Sequence, residues 1–484
     1  MANLLNESTP TYRLPPEILT RILYLAVDHG SEEHAEQVIP LTHVCRYWRT
    51  LLLSYPRMWS TLCMKPGNPS VISEWLVRSQ NVPLTVIVEF IDTYEHPSCL
   101  YEDSATATLA DTSDLEVCLR HEAVLSLDQL LPHRSRIRDL NILIHLSDPE
   151  WEYHSDCEPE LLRHRFFEET LPNLQSLDFR AAHFEQDRWD IPVPDLLFAG
   201  GLHRLKELKY CGVTGGLTKS AKNLTSCEIG RWPGSAGLTI ISVSELQTLF
   251  DNNKAVKSLT INDCEPFFES DSKVHTATPM EDLKSLKIYC SAGYDLKTTL
   301  GCIHTPQFRS LDTVQLFLPY SSIQVVATDR SGHTFEFLQP IGNIPDDFYP
   351  LQHLGADIAT LRLDRGMSLR GLDGRPALYT FFRSLDAVQV LEFDGAMASV
   401  KNVLSNLLSA TGVFPRLKTI RVAISGDDCL KSLPLLATFS RLRTEEGNPL
   451  TTVEPLFAEG EDELSRVEWR KYCEAEGIQN FLSK

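Results

Sequence analysis

One short pattern recurs through most of the chain, and it leaves few folds open. It is apolar-x-x-apolar-x-apolar, and it opens at Ile137, Leu174, Leu205, Leu224, Val256, Leu283, Leu311, Ile358, Val388 and Leu417. Alternation of apolar and polar residues is the period of a strand with one buried face. The fourth positions, from Leu140 through Leu259 to Ile420, are separated by 37, 31, 19, 32, 27, 28, 47, 30 and 29 residues. An interval of that size holds one strand and one return segment. Such a unit cannot bury its apolar face alone, whereas stacked neighbours make a continuous core. The expected fold class is therefore α/β, with a solenoid of strands and returns over residues 134–426. An ordinary α/β sheet whose buried strands share the pattern is the competing reading.

Details within this span refine the expectation. Helical returns are read in Pro194–Phe198 and Ser242–Phe250, the second with Ser244 and Gln247 in capping-box spacing. The 47-residue interval contains two β-rich runs, 322–327 and 333–338, flanking Asp329-Arg330-Ser331-Gly332. That arrangement predicts a hairpin inserted at about 322–338. Residues 427–484 are read as a C-terminal cap, with an acidic start at 459–463 and a helix from Leu464 to Glu476 stopped by Gly477.

Upstream, residues 1–11 read as a disordered tail. Residues 65–133 read as a connection: a helix near Val71–Ser79, a strand near 83–90 and an irregular loop over 92–114. Residues 12–64 read as three short helices. Leu14-Pro15-Pro16-Glu17-Ile18-Leu19 opens the first, with proline in the first turn and Glu17 at the positive helix end. Ile18, Leu19, Ile22, Leu23 and Ala26 follow at helical spacing. A second stripe runs Leu41, Val44, Cys45, Trp48, Leu51 and Leu52, and Pro56 starts a last short helix ending near Trp59. Three helices in fewer than about sixty residues bury little core alone, which points to a partner that completes them.

Leu-Pro opening a first helix, Val-Cys and a Trp on a second, and a Trp after a Pro on a third: in this order the segment resembles the F-box, over residues 12–64. The resemblance implies docking on a Skp-type adaptor and, through it, a cullin, by Leu14, Pro15, Ile18, Leu19, Ile22, Leu41, Val44, Cys45, Trp48 and Trp59. The acidic stretch 28–36 departs from the pattern by lengthening the connection between helices one and two. The repeat array resembles the leucine-rich-repeat family in degenerate form, since only the copy at Val256, with Cys264, carries the Asn or Cys expected at position nine. Together the resemblances imply a small N-terminal three-helix F-box followed by a leucine-rich-repeat-like α/β solenoid. The implied role is the substrate-recognition subunit of a Skp–cullin–F-box ubiquitin ligase. A repeat scaffold without a ligase role, its helices merely capping the solenoid, is the alternative.

Composition bounds the partners. The formal net charge is −20, while residues 1–80 hold seven Lys/Arg and seven Asp/Glu, so all of the excess lies in residues 81–484. That balance argues against nucleic acid. No run of eighteen apolar residues suits a membrane span, and no basic and apolar leader is present. The twelve cysteines are scattered with no Cys-x-x-Cys, which reads as reduced thiols in cytoplasm or nucleus.

No constellation for catalysis or metal binding emerges, so neither enzyme activity nor a cofactor is expected. Gly212–Ser220 lacks the glycine a phosphate loop needs before Lys219; Thr218 stands there. His121-Glu122 lacks a second His at 125, and Gly234–Gly237 is not Gly-x-Ser-x-Gly. A hydrolase reading has no nucleophile site to stand on. In a leucine-rich repeat, positions three, five and seven face the usual partner surface. Across ten copies these thirty positions hold five basic and seven acidic residues, so the net charge of the chain does not describe that face. Lys287, Tyr289, Phe317 and Arg362 are the residue types that anchor interfaces, and they form the expected substrate-binding site for an unknown protein.

Overall fold

The computed structural model divides into two compact units, residues 1–253 with 267–270, and residues 254–266 with 271–484. It describes residues 13–29, 33–64, 69–92, 125–146, 164–183, 191–193, 198, 202–211, 213–215, 220–230, 239–262, 264–267, 277–290, 300, 302–317, 322–340, 356–363, 381–393, 413–424, 433–457, 467, 471 and 474. The expected N-terminal tail, most of the 92–114 loop, all but Phe198 of the 194–198 return and nearly all of the 464–476 helix lie outside those residues. Each unit is mixed α/β and carries a mostly parallel sheet.

The first unit opens with α1 (Pro16–Leu25), α2 (His34–Leu41), α3 (Arg46–Leu53) and a 3-10 turn at Pro56–Trp59. Pro15 precedes α1 in extended conformation and Glu17 lies in its first turn. The stripe from Leu41 to Leu52 is split between two helices. Cys45 breaks it: its backbone is extended, and its Sγ accepts the Trp48 N–H at 3.5 Å, which caps α3. The acidic stretch 28–36 contributes the first turn of α2. Leu19, Leu23, Val27, Val38, Leu52, Met58 and Trp59 form a core here. Trp59 donates from Nε1 to the Leu52 carbonyl at 2.8 Å, which satisfies its one buried polar group.

The sheet begins before the first copy of the pattern. Strand β1 (Thr61–Met64), helix α4 (Pro69–Arg78) and strand β2 (Leu84–Asp92) form a parallel strand–helix–strand unit. Trp75 of α4 meets Trp59 edge-on at 5.0 Å, and the Arg78 guanidinium lies 4.5 Å over the Trp59 ring. Strands β3 (Ile137–Leu146), β4 (Ser176–His183), β5 (Glu207–Cys211) and β6 (Ser226–Gly230) follow, each parallel to the one before. Register aligns the fourth positions, with Leu140 opposite Leu177, Leu177 opposite Leu208 and Leu208 opposite Cys227.

The return expected at 242–250 is α5 (Val243–Asn252). Its capping box uses Ser242 and Glu245, two residues earlier than the spacing of Ser244 and Gln247 predicts. Ser244 and Gln247 have the right separation, but the chain is already helical at both. After α5, Asn253 is buried. Its amide nitrogen donates to the carbonyls of Leu249 and Ala221, and its Oδ1 accepts the Leu224 N–H.

The second unit has β7 (Ser258–Asn262), β8 (Ser285–Tyr289), β9 (Thr313–Phe317), β10 (Ser322–Thr328), β11 (Thr334–Pro340), β12 (Thr360–Leu363), β13 (Val390–Phe393), β14 (Thr419–Ile424) and β15 (Thr452–Phe457). Their order in the sheet is β7-β8-β11-β10-β9-β12-β13-β14-β15, and only β10 runs antiparallel. The hairpin expected at 322–338 is β10–β11, and it lies inside the sheet. It fills the space between β8 and β9, so the sixth and seventh copies of the pattern are separated by two strands. The tight turn is built by Gly332, at φ +84°, and by the Asp329 carboxylate, which accepts the N–H groups of Ser331 and His333 at 2.8 and 3.0 Å. Helix α6 (Leu433–Glu445) and β15 close the unit where the sequence shows no distinct pattern. Arg443 of α6 is buried and donates to the Phe414 carbonyl at 3.0 Å.

The pattern itself predicts burial well. All thirty apolar positions of the ten copies are at most 3% exposed.

Candidate functional site

Two faces of the molecule present residues of functional type. The first lies on the N-terminal helices. Ile18, Ile22 and Leu25 recur at i, i+4 and i+7 along α1, and they are 50%, 48% and 68% exposed. Helical spacing puts them on one side, turned away from Leu19 and Leu23, which are core. Ile39 of α2 and Val44 just before α3 are also exposed. An apolar stripe on a short helix left in water is unusual, because burying one such side chain is worth about 1.5–3 kcal/mol.

The ten residues read as docking candidates separate by environment. Pro15, Ile18, Ile22 and Val44 are exposed, and Leu14, Leu41, Cys45 and Trp48 are half-buried. Leu19 and Trp59 are core residues, each 2% exposed. Leu25 and Ile39 are missing from the sequence-derived set. Continuing the stripe by one more turn from Ile22 finds Leu25. Ile39 was hidden, because the stretch before it reads as an acidic connection rather than as a helix.

The second face is the polar side of the strands, where the fifth positions of the pattern form rows across the sheet. In the first unit Asp178, Lys209 and Glu228 are neighbours, with Lys209 Nζ 4.0 Å from Asp178 and 3.8 Å from Glu228. Arg180 also pairs with Asp178. In the second unit Lys287 Nζ lies 3.0 Å from Glu336, and Arg362, Glu392, Arg421 and Glu454 alternate across four strands. Arg362 reaches Glu392 at 2.9 Å, while Arg421 reaches Glu392 at 2.7 Å and Glu454 at 2.8 Å.

These rows change the status of the four substrate candidates. Lys287 and Tyr289 sit on β8 and Arg362 on β12, with β11, β10 and β9 between them. Four strand spacings separate Lys287 from Arg362, roughly 19 Å. Phe317 stands opposite Gln324 on β9, and its side chain is outside the described residues. The four therefore form no single cluster. Both cations are also engaged within the chain. The hydrogen bond that the Lys287 ammonium donates to Glu336 holds it above its ordinary range, and burial followed by Glu336 pushes the Tyr289 hydroxyl up. Burial would raise the Glu392 carboxyl, but the bonds from Arg421 and Arg362 outweigh it and hold it below the usual glutamate range.

Three buried thiols are quiet. Burial pushes Cys211 and Cys227 up to about 12 and Cys302 to about 11, far from the thiolate form that reacts or binds metal. Among the described residues no group of three or more His, Cys, Asp and Glu could hold a metal ion, and no helix is long and apolar enough to cross a membrane. Compared with protein-family models and with curated proteins, the chain matches none.

Proposed function

We propose that this chain is the substrate-recognition subunit of a Skp–cullin–F-box ubiquitin ligase, an F-box followed by a leucine-rich-repeat-like solenoid. The N-terminal helices dock on a Skp-type adaptor, and the strands hold a target protein so that its lysines reach the ubiquitin-loaded enzyme. This is catalysis by proximity, with no bond made or broken by the chain itself. The reading places the protein in cytoplasm or nucleus, with no nucleic acid, membrane or cofactor involved. The observation that carries it is the exposed stripe Ile18, Ile22 and Leu25, in a segment whose order of Leu-Pro, Val-Cys and two Trp residues resembles the F-box.

The test is capture of a purified Skp-type adaptor by the full chain, beside the double variant Ile18→Asp/Ile22→Asp. Both positions are about half exposed, so the variant keeps its far-UV circular dichroism. Binding by the parent and not by the folded variant supports the proposal. Absence of binding by the parent removes the ligase role.

A second reading, a repeat scaffold without a ligase partner, is favoured by one observation. The stretch 28–36 feeds an additional helix, α2, into the region where the F-box pattern expects a plain connection. The same capture experiment separates the two.

A further inference from the structure

A third feature lies at the end of the first unit's sheet where its strands begin. The second position of each copy of the pattern stands there. Gln175 donates its N–H to the Arg138 carbonyl at 2.7 Å, Lys206 to that of Gln175 at 2.8 Å and Thr225 to that of Lys206 at 2.7 Å. Arg138, Gln175, Lys206 and Thr225 are therefore neighbours across the starts of β3, β4, β5 and β6. Just upstream the same rim is tied again. Asn173 donates from Nδ2 to the Ser135 carbonyl, and Arg204 donates from Nη1 to Asn173 Oδ1, both at 2.6 Å. Arg138, Arg204, Lys206 and Lys222 are all exposed.

The rim runs against the charge of the chain. Its entry segments, 131–139, 164–176, 202–207 and 220–226, hold seven Arg and Lys and four Asp and Glu, while residues 81–484 carry the whole −20. Of the four acids, Glu169 is shared by Arg134 at 3.6 Å and Arg165 at 3.2 Å, and Asp139 accepts the Thr85 hydroxyl at 3.2 Å. Glu207 opens the polar face of β5, and Glu168 is exposed. Of the basic residues, Arg136 is turned inward and donates to the Val82 carbonyl and the Ser79 hydroxyl. Among the described residues, Arg138, Lys206 and Lys222 take part in no ion pair.

Cations held on a backbone ladder attract opposite charge with little further ordering. Arg138 and Lys206 are two strand spacings apart, roughly 10 Å. An extended chain sets alternate side chains roughly 7 Å apart on one side, which the long Arg and Lys stems can span. Nucleic acid fits less well. It carries charge along its whole length and would meet the field of the acidic chain beyond the rim. Phe166 and Phe167, the only Phe, Tyr or Trp in the entry segments, are buried, so no ring is offered to a base. We propose that this rim docks a short acidic segment of a partner protein, a run rich in Asp and Glu that lies extended across the starts of β3 to β6. The inference goes beyond the ligase reading and does not rest on it. In a ligase subunit the segment belongs to the target, and in a scaffold to the bound partner.

The experiment uses the full chain and a fluorescein-labelled peptide of alternating Glu and Ser, with the matching Gln and Ser peptide as control, read by fluorescence anisotropy. The parent should bind the Glu peptide and not the Gln peptide, and should bind more weakly as NaCl rises from about 0.05 to 0.3 M. Arg138→Glu/Lys206→Glu/Lys222→Glu, checked for folding by far-UV circular dichroism, should weaken binding at least about tenfold, since each of three exposed ion pairs supplies a factor of roughly two to three. If that variant fails to fold, Arg138→Gln/Lys206→Gln should weaken it about fivefold. Lys254→Glu/Lys257→Glu/Lys284→Glu makes the same change of charge on exposed lysines of the second unit, and it should keep the parent's affinity. No binding by the parent overturns the proposal. Equal weakening by the two triple variants overturns it too, because overall charge alone would then account for binding. A thymidine oligonucleotide bound more tightly than the peptide, and lost with Arg138 and Lys206, overturns the choice of partner. No adaptor is present, so failure of the ligase reading leaves these outcomes unchanged.

Discussion

Glu392 is the residue on which the polar face of the second unit depends. Its side chain is 8% exposed and sits between two arginines. Arg362 reaches it from Nε and Nη2, both at 2.9 Å, and Arg421 reaches it from Nη1 at 2.7 Å. Glu392→Gln keeps the volume and removes the charge. Hydrogen bonds to charged groups contribute about 1.5–3 kcal/mol each when buried. The arginine side chains are 43% and 36% exposed, so they recover water and the loss is discounted. The expected cost is about 2 kcal/mol, less than the 3–5 kcal/mol typical of breaking a fully buried pair. A cycle combining Glu392→Gln with Arg421→Met, read by urea unfolding of the full chain, should give a coupling of about 1 kcal/mol. A coupling below about 0.3 kcal/mol would refute the reasoning: the Arg421 guanidinium would not be held by Glu392.

Three other outcomes follow from the packing and the charges. Leu19→Ala should destabilise by about 3 kcal/mol as a core truncation, while Ile22→Ala, one helical turn on but half exposed, should cost under about 1 kcal/mol; thermal melts of the two variants compare them. Asn253→Ala strips three backbone groups of their partners at a site 2% exposed, so a cost of about 3 kcal/mol and faster exchange of the Leu224 amide are expected. Burial would raise the Asp329 carboxyl, but donors from Ser310, the His333 ring and the backbone of His333 and Ser331 hold it at about 2. A carboxyl depressed on folding stabilises above its unfolded value and loses that contribution as pH falls, so denaturant midpoints should drop between about pH 4 and pH 2, and Asp329→Asn should flatten the drop.

Much of the core was legible because strand burial is local. Which side of a strand faces inward is settled by a period of two, and the thirty pattern residues needed only their own neighbours to declare it. The capping box of α5 was misplaced by two residues for a related reason. Two serines at 242 and 244 offer equivalent spacing to Glu245 and Gln247, and the backbone conformation at Ser242 chooses between them. Helix α6 and strand β15 are not legible in the sequence because neither carries the apolar-x-x-apolar-x-apolar pattern. On α1, helical spacing places Ile18 and Ile22 on one side, but the neighbouring position Leu19 turns inward. A list drawn from apolar identity alone could not separate them.

By itself, the chain's sequence determined the strand faces, the hairpin at 322–338 and the amphipathic character of the first helix, since each depends on residues within a few positions of one another. Tertiary structure alone decided where the hairpin went, which charges met and which apolar residues stayed in water. Lys287 finds Glu336 at a separation of 49 residues and Arg421 finds Glu392 at 29. Such pairings follow from strand order, and strand order is set by which faces can be buried together over the whole sheet, a condition that no single segment contains.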